Sequence, residues 1–434
     1  MPCIVARCCD IPLCVMKISE ILAPAGNMEH LETACLYGAE AVYLGVQGET
    51  NLRAGAKNFS LEDLGIAAAY AHDRGVRVYL TLNTYPHDRQ MKKLPEIVLL
   101  AKEIGVDAVI VSDIGVLSLV REIAPELPLH LSTQANAVNL LAIKAWASLG
   151  ISRVILAREL SCPEIEHIRK HTGVELEMFV HGSVCISISG RCLISNYLNS
   201  RDANQGRCTQ PCRWDYALVE RTRQDQFMPV VEEDGYTFLY NSKDLCLLPV
   251  MDKVLELGME GLKIEGRNRT SLYIATAVRT YRKARDAYRN DPHGFSLKRE
   301  WMEEIGKISN RGYFTGFFLD EPDDEGINYD FKGYIQNYHM AARVIGHTGD
   351  RTILEARNPL IEGMELELLT ARDSGRMGQT FILSGMQAGG IRKDRVRPNE
   401  TFEIKLPFEA VAGELLRKPY SEGDKVVLRC GNAG

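Results

Sequence analysis

Short β-branched runs alternate with longer amphipathic stretches from Ile18 onward, and the alternation predicts repeated βα units around a parallel sheet. The runs are ISEILAP from Ile18, AVYLG from Ala41, VRVYLTLN from Val76, VDAVIVSD from Val106, LPLHLSTQ from Leu127, SRVILARE from Ser152, VELEMFVHG from Val174 and GLKIEGR from Gly261. Between them, LEDLGIAAAYAHDRG from Leu61 and KLPEIVLLAKEIG from Lys93 read as helices, each stopping at a glycine suited to a C-cap. These eight strands predict a (β/α)8 TIM-like barrel of α/β class rather than an open sheet. No Gly-x-Gly-x-x-Gly follows the first run to favour a dinucleotide fold.

The rhythm breaks between the seventh and eighth runs, where residues 183–260 read as a cysteine-rich insertion. An insertion there leaves the C-terminal end of a barrel strand, the end at which barrel enzymes carry their chemistry. An arginine-rich helix from Ala275 to Tyr288 and an acidic linker from Asp320 to Glu325 follow. AARVIGH, RTILEAR, MELELLT, TFEIKLP and KVVLRC then predict a small antiparallel β-barrel domain over residues 340–434, behind a barrel domain over 16–335. Residues 1–15 read as an extension ahead of a start at Met16.

A chain of 434 residues that is 45% hydrophobic and 25% charged is neither disordered, collagenous nor a coiled coil. Without about 18 uninterrupted apolar residues or a leader-like amino terminus, a soluble, cytoplasmic protein with no membrane partner is expected. The net charge of -6 means that any nucleic-acid contact must use a local basic patch.

Five of the twelve cysteines, Cys185, Cys192, Cys208, Cys212 and Cys246, fall in the insertion. Thiolates are soft ligands, and four converging would suit zinc or an iron–sulfur cluster, which the spacing alone does not separate. Buried structural thiols are the plain alternative, but Gly, Ser, Arg, Asn and Asp flank these and rarely surround core thiols. A protease would need a nucleophile: no His-Glu-x-x-His or Gly-x-Ser-x-Gly occurs, and a Cys185–His181 pair is the remaining option.

Strand ends supply further polar residues: Glu20, Tyr43, Asn83, Gln134, Arg158, Glu159, His181, Lys263, Glu265 and Arg267. Lys263, Glu265 and Arg267 alternate along one strand, so they are expected to share a face and to serve as each other's charge partners above an anion-binding floor. His181, Glu159, Lys263 and Glu265 are the catalytic candidates. Arg53, Asn83, Gln134, Arg158 and Arg267 are the substrate-binding ones. For RNA, the candidates are Arg191, Arg201, Arg207 and Arg213 beside Trp214 and Tyr216, then Arg279, Arg282, Lys283, Arg285 and Arg289.

Several passages carry a specific likeness. ILAPAGNMEHLETACLYGAEAVYLG, the step from Asn58 to Leu64, TLN at Thr81, SGRCLISNYLNSRDANQGRCTQPCRW, NSKDLC and KIEGRNRTSLYIATAVRTYRKA together resemble peptidase family U32, from about Ile18 to Phe318. The segment from Met340 resembles the small β domain of its longer members. The family name records a collagenase-like assignment, whereas the resemblance implies oxygen-independent hydroxylation by proteins holding a [4Fe–4S] cluster on four cysteines. It implies Cys185, Cys192, Cys208 and Cys246 as ligands, with Cys212 as the alternative fourth. At this length it points to the branch that forms 5-hydroxyuridine at the wobble position of tRNA with prephenate as co-substrate. Related branches act on ribosomal RNA, and a second U32 family protein is a conceivable partner. Prephenate's two carboxylates would take arginine forks, with Arg53, Arg158 and Arg267 as candidates.

Overall fold

The computed structural model describes residues 18–48, 50–52, 57–185, 192–213, 218–219, 227–228, 242–319, 326, 334–371 and 378–420. The 1–15 extension, Met16, Arg53, Arg191, Trp214 and Tyr216 lie outside them.

Seven of the predicted runs become parallel strands in sequence order: β1 Glu20–Pro24, β2 Ala41–Leu44, β3 Arg77–Leu82, β4 Ala108–Val111, β5 Leu129–Leu131, β6 Arg153–Ile155 and β7 Glu175–Ser183. Nearly every residue in them is buried, because helices cover the outside and side chains fill the inside. Asp244–Cys246 (β8) runs antiparallel to the far end of β7, with Cys246 opposite His181. Gly261–Ile264 (β9) pairs with both β7 and β1 and closes the barrel. The eight-stranded parallel barrel is therefore formed, with β8 as an antiparallel annex.

Strong local signals set the helices. Asn27, Ser60 and Asp113 cap α1 (Met28–Tyr37), α2 (Leu61–His72) and the helix Ile114–Ile123 by accepting hydrogen bonds from first-turn amides. Gly38 ends α1 at φ 97°, where a β-carbon would strike the guanidinium of Arg282. In the last part of the expected 183–260 insertion, β8 and the helix Met251–Glu256 lead back from the end of β7 to β9. The arginine-rich helix spans Ser271–Asn290 (α3).

Charged residues fill the end of the barrel opposite the mouth. Glu20 accepts hydrogen bonds from Tyr79, Arg77 and Arg153. Arg153 also reaches Glu175 at 2.7 Å. Glu20 is thus not a mouth residue: it opens its strand, and only residues closing a parallel strand reach the mouth.

The β domain begins at Tyr338 and forms an eight-stranded antiparallel sheet around Ala342, Val344, Leu354, Phe402 and Leu416. It docks against α1 and the helix Arg299–Lys307 (α4) through buried polar contacts. Arg417, fully buried, donates to Glu304 at 2.7 Å and Glu367 at 2.6 Å. Tyr37 donates to the Leu369 carbonyl at 2.6 Å, and Arg343 pairs with Glu32 at 2.5 Å.

Candidate functional site

The ends of the barrel strands enclose a cavity of about 80 Å³ lined by Tyr43, Thr81, Asn83, Ser132, Gln134, Arg158, Phe179, Cys185, Lys263, Glu265 and Arg267, among others. Seven of these were named in the sequence as strand-end candidates. Thr81 and Ser132 were not, although TLN and LST each place a hydroxyl just where an apolar run ends.

Three cations meet here. Arg267, buried, donates to Asn51 Oδ1 at 2.7 Å and to Thr81 Oγ1 at 3.1 Å. Gly45 leaves room for it, since a β-carbon there would stand 2.6 Å from its Nη1. The ammonium of Lys263 lies 4.4 Å from the ring centroid of Tyr43 while it pairs with Glu177. Burial pulls its pKa below the ordinary lysine value, against the pull of the Glu177 carboxylate, and Arg267 and Arg153 push it further down. Arg158 donates to the Ser183 carbonyl and lies 4.3 Å over the ring of Phe179. Asn83 accepts from the Leu52 amide at 3.3 Å and donates to Ser132 at 3.2 Å, tying three strand ends together.

Lys263, Glu265 and Arg267 do share the cavity face, as their alternation predicts. Lys263 bonds Glu177, and Arg267 bonds Asn51 and Thr81, all on neighbouring strands and loops. In a barrel the nearest polar groups belong to adjacent strands, which spacing along one strand cannot reveal.

His181 is displaced from the mouth. Its ring, 1% exposed, packs among Tyr273 and Tyr281 of α3 and Tyr313, with centroids 5.4–5.6 Å away. Burial first, then the charge of Arg269, lowers its pKa to about 3, so it is neutral. The register shift at Lys263/Ile264 turns this part of β7 outward, toward the helix. Cys246, also 1% exposed, is its strand partner and lies 3.5 Å from the Tyr281 hydroxyl; burial pushes its thiol up to about 11. Neither residue lines the cavity. Glu159, half-buried after β6, does not line it either. Arg269 and Arg311 clamp Asp244 and the Ser183 hydroxyl beside this cluster.

The cysteine loop is fixed to the mouth by its own polar residues. The backbone carbonyl of Asn204 accepts from the Tyr85 amide at 3.3 Å, the Gln205 side chain accepts from Gln90 at 2.8 Å, and the Tyr85 hydroxyl reaches the Gln134 carbonyl at 2.5 Å. Thr209 bridges to Ser195 and Asn199 on the short helix Ile194–Asn199 (α5 here), drawing the Cys192 and Cys208 ends of the loop together. The Gln210 amide donates to the Cys208 sulfur at 3.3 Å, and the Cys192 carbonyl accepts from Asn204 at 3.1 Å. Cys185 is exposed at the cavity, and Cys192, Cys208 and Cys212 are half-buried. No three His, Cys, Asp or Glu side chains among the described residues converge on a point that could hold a metal ion.

Of the basic candidates, Arg201 and Arg207 are exposed on this loop. Arg285 is not available to RNA: it is buried and bonded to Glu40 at 2.7 Å, Asp286 and the Ser19 carbonyl. Arg279, Arg282 and Lys283 line a separate cavity of about 450 Å³ beside Trp301, at the junction with the β domain. No helix among the described residues is long and apolar enough to cross a membrane.

The family model for peptidase family U32 matches residues 26–328. The chain is 38% identical over 362 residues to tRNA hydroxylation protein P1 of Bacillus subtilis (strain 168), covering 81% of this chain and 84% of that protein. It is 34% identical over 432 residues to tRNA hydroxylation protein P of Escherichia coli (strain K12), covering 89% and 93%. It is also 33% identical over 417 residues to a protein named Collagenase from Porphyromonas gingivalis (strain ATCC BAA-308 / W83), covering 93% and 95%.

Proposed function

The chain belongs to peptidase family U32, and from that premise we propose that it is an RNA-modifying enzyme that hydroxylates tRNA, forming 5-hydroxyuridine at the wobble position with prephenate as co-substrate and a [4Fe–4S] cluster as cofactor. The observation that carries the reading is the cation-lined cavity beneath a cysteine loop, in a chain matched over most of its length by proteins named for tRNA hydroxylation.

In this reading Arg158, Lys263 and Arg267 receive the carboxylates of the co-substrate. Arginine offers a planar fork for each, and the buried surroundings strengthen every charge-assisted hydrogen bond. Asn83, Ser132 and Gln134 orient its remaining polar groups, and Glu265 is the cavity-wall carboxylate that would take or hold a proton. His181, neutral and enclosed by three tyrosines, keeps a structural part at the β7–α3 contact.

The cysteine loop fits a cluster by its donor chemistry: soft thiols on one segment, with an amide already donating to the Cys208 sulfur. The set that fits is Cys185, Cys192, Cys208 and Cys212, and the proposal requires their sulfurs to draw together. Cys246 fits poorly, because its thiol is enclosed against Tyr281. When bound, the cluster supplies redox or Lewis-acid chemistry beside the cavity. Anaerobically purified protein is expected to be brown, with about four irons per chain. Cys212→Ser should lose the iron and Cys246→Ser keep it; the reverse pattern would restore Cys246 to the ligand set.

The collagenase-like reading rests on a Cys185–His181 nucleophile. His181 Nδ1 faces the Tyr281 hydroxyl at 3.4 Å, and no hydrogen bond joins it to Cys185 among the described residues. Nucleoside analysis of tRNA from a deletion strain decides between the two: 5-hydroxyuridine derivatives should disappear, and their persistence together with lost collagen cleavage would favour the peptidase.

A further inference from the structure

Large apolar side chains on a soluble surface normally occur singly. The cysteine loop departs from this within six residues. Tyr197 is 84% exposed, Leu198 52% and Leu193 49%, all on or beside the two-turn helix Ile194–Asn199. Leu193 and Tyr197 stand four apart and share one helix face, joined through the Tyr197 amide and the Leu193 carbonyl at 3.0 Å. The opposite side of the helix is committed: Ser195 is fully buried and bonded to Thr209, and Asn199 donates to Thr209 at 2.8 Å. The apolar face is therefore held outward by a specific polar anchor.

Charge identifies the occupant. Arg201 and Arg207, both exposed, follow the helix on the same loop, which is pinned to the barrel mouth through Asn204 and Gln205. An exposed aromatic ring on a loop that also carries two exposed arginines suits an unpaired nucleobase stacked on the ring, with its phosphates neutralised by the guanidinium groups. A hydrophobic protein partner would gain from the leucines but not from two desolvated arginines. An apolar wedge on a loop pinned to the mouth also addresses a physical need of base chemistry, since a target base must leave its stack to enter a cavity.

We propose that Tyr197, flanked by Leu193 and Leu198, is a base-stacking platform that receives an unpaired nucleotide of the RNA substrate next to the cysteine loop, with Arg201 and Arg207 as its phosphate contacts. The inference rests on the RNA reading above and assigns it a surface.

Stacking and phosphate contact leave different signatures in a salt titration. Binding of a tRNA anticodon stem-loop by the whole iron-loaded protein is measured across salt concentrations for wild type, Tyr197→Ala, Tyr197→Phe and Arg201→Ala/Arg207→Ala. Tyr197→Ala is expected to weaken binding about tenfold or more while the slope of log K against log salt stays unchanged. Tyr197→Phe should bind as wild type does, and the double arginine variant should reduce the slope by about two. Iron content and melting temperature should be the same in all four. Equal affinity of wild type and Tyr197→Ala overturns the platform while leaving RNA hydroxylation intact. A wild type that binds no RNA overturns both. A Tyr197→Ala protein that changes its sedimentation but not its RNA affinity marks the face as a protein interface and overturns the assignment.

Discussion

Arg267 is held in place by the protein before any ligand arrives. Asn51 and Thr81 fix its two terminal nitrogens, so little side-chain entropy remains to be lost when an anion binds. Under the proposed function, Arg267→Ala is therefore expected to weaken binding of the proposed co-substrate prephenate about tenfold or more, since a charge-assisted hydrogen bond contributes about 1.5–3 kcal/mol. Isothermal titration measures this, and unchanged affinity removes Arg267 from the site. A second residue-scale consequence concerns acid. His130, against the ring of Tyr79 with its Nδ1 unbonded, has its pKa held well below the ordinary value, by burial first and then by Arg153, Lys263 and Arg77. His30 is lowered to about 4, again by burial. Below the ordinary value near 6.5 the unfolded chain therefore binds more protons than the folded one, and stability falls as the pH drops from there. Each histidine adds a slope of up to about 1.4 kcal/mol per pH unit. His130→Leu should flatten the fall in melting temperature between about pH 6.5 and 4.5; an unaltered slope would mean that His130 protonates in place. Arg267 and Lys263 were legible in the sequence as strand-end cations, but their partners were not, because Asn51, Thr81 and Glu177 lie on other strands and loops.

At the scale of elements, β7 decides the site. Its first half joins β9 in the barrel, and its second half turns to pair with β8. The partner changes at His181, and next to it stands Gly182, at φ 112°, where a β-carbon would stand 2.7 Å from the Glu265 carbonyl oxygen. Gly182→Ala combines a strained left-handed backbone with that collision. It should cost about 1–3 kcal/mol and shift Glu265 in the cavity wall. Chemical denaturation gives the first number, and a loss under about 0.5 kcal/mol, the range of ordinary surface substitutions, would show that the two strands can part at no expense. The strand itself was visible as VELEMFVHG. Its change of partner was not, since pairing is a choice between segments. The same limit explains His181: its place at a strand end predicts a mouth residue, and the register shift sends it to the helix instead.

For the whole molecule, the barrel and β domain are joined by buried charge. Arg417 lies between Glu304 of the barrel and Glu367 of the β domain, with Lys307 2.7 Å from Glu304 and 3.0 Å from Glu367. Arg417→Met leaves two buried carboxylates with one ammonium and should destabilise the protein by about 3–5 kcal/mol. In calorimetry the β domain is expected to melt at lower temperature than the barrel; a loss below about 1 kcal/mol, the range of exposed ion pairs, would assign the docking to apolar contacts alone. By itself the sequence determined the eight barrel strands, the later β domain, and the cations near strand ends. These are properties of local periodicity and of which residues may border a buried strand. The tertiary structure alone decided which cations meet in the cavity, that Glu20 sits at the opposite end, that Cys246 and His181 face a helix, and that Tyr197 stands in solvent. Each of these depends on which segments become neighbours, and burial, pairing and charge compensation are properties of neighbours rather than of the order of residues along the chain.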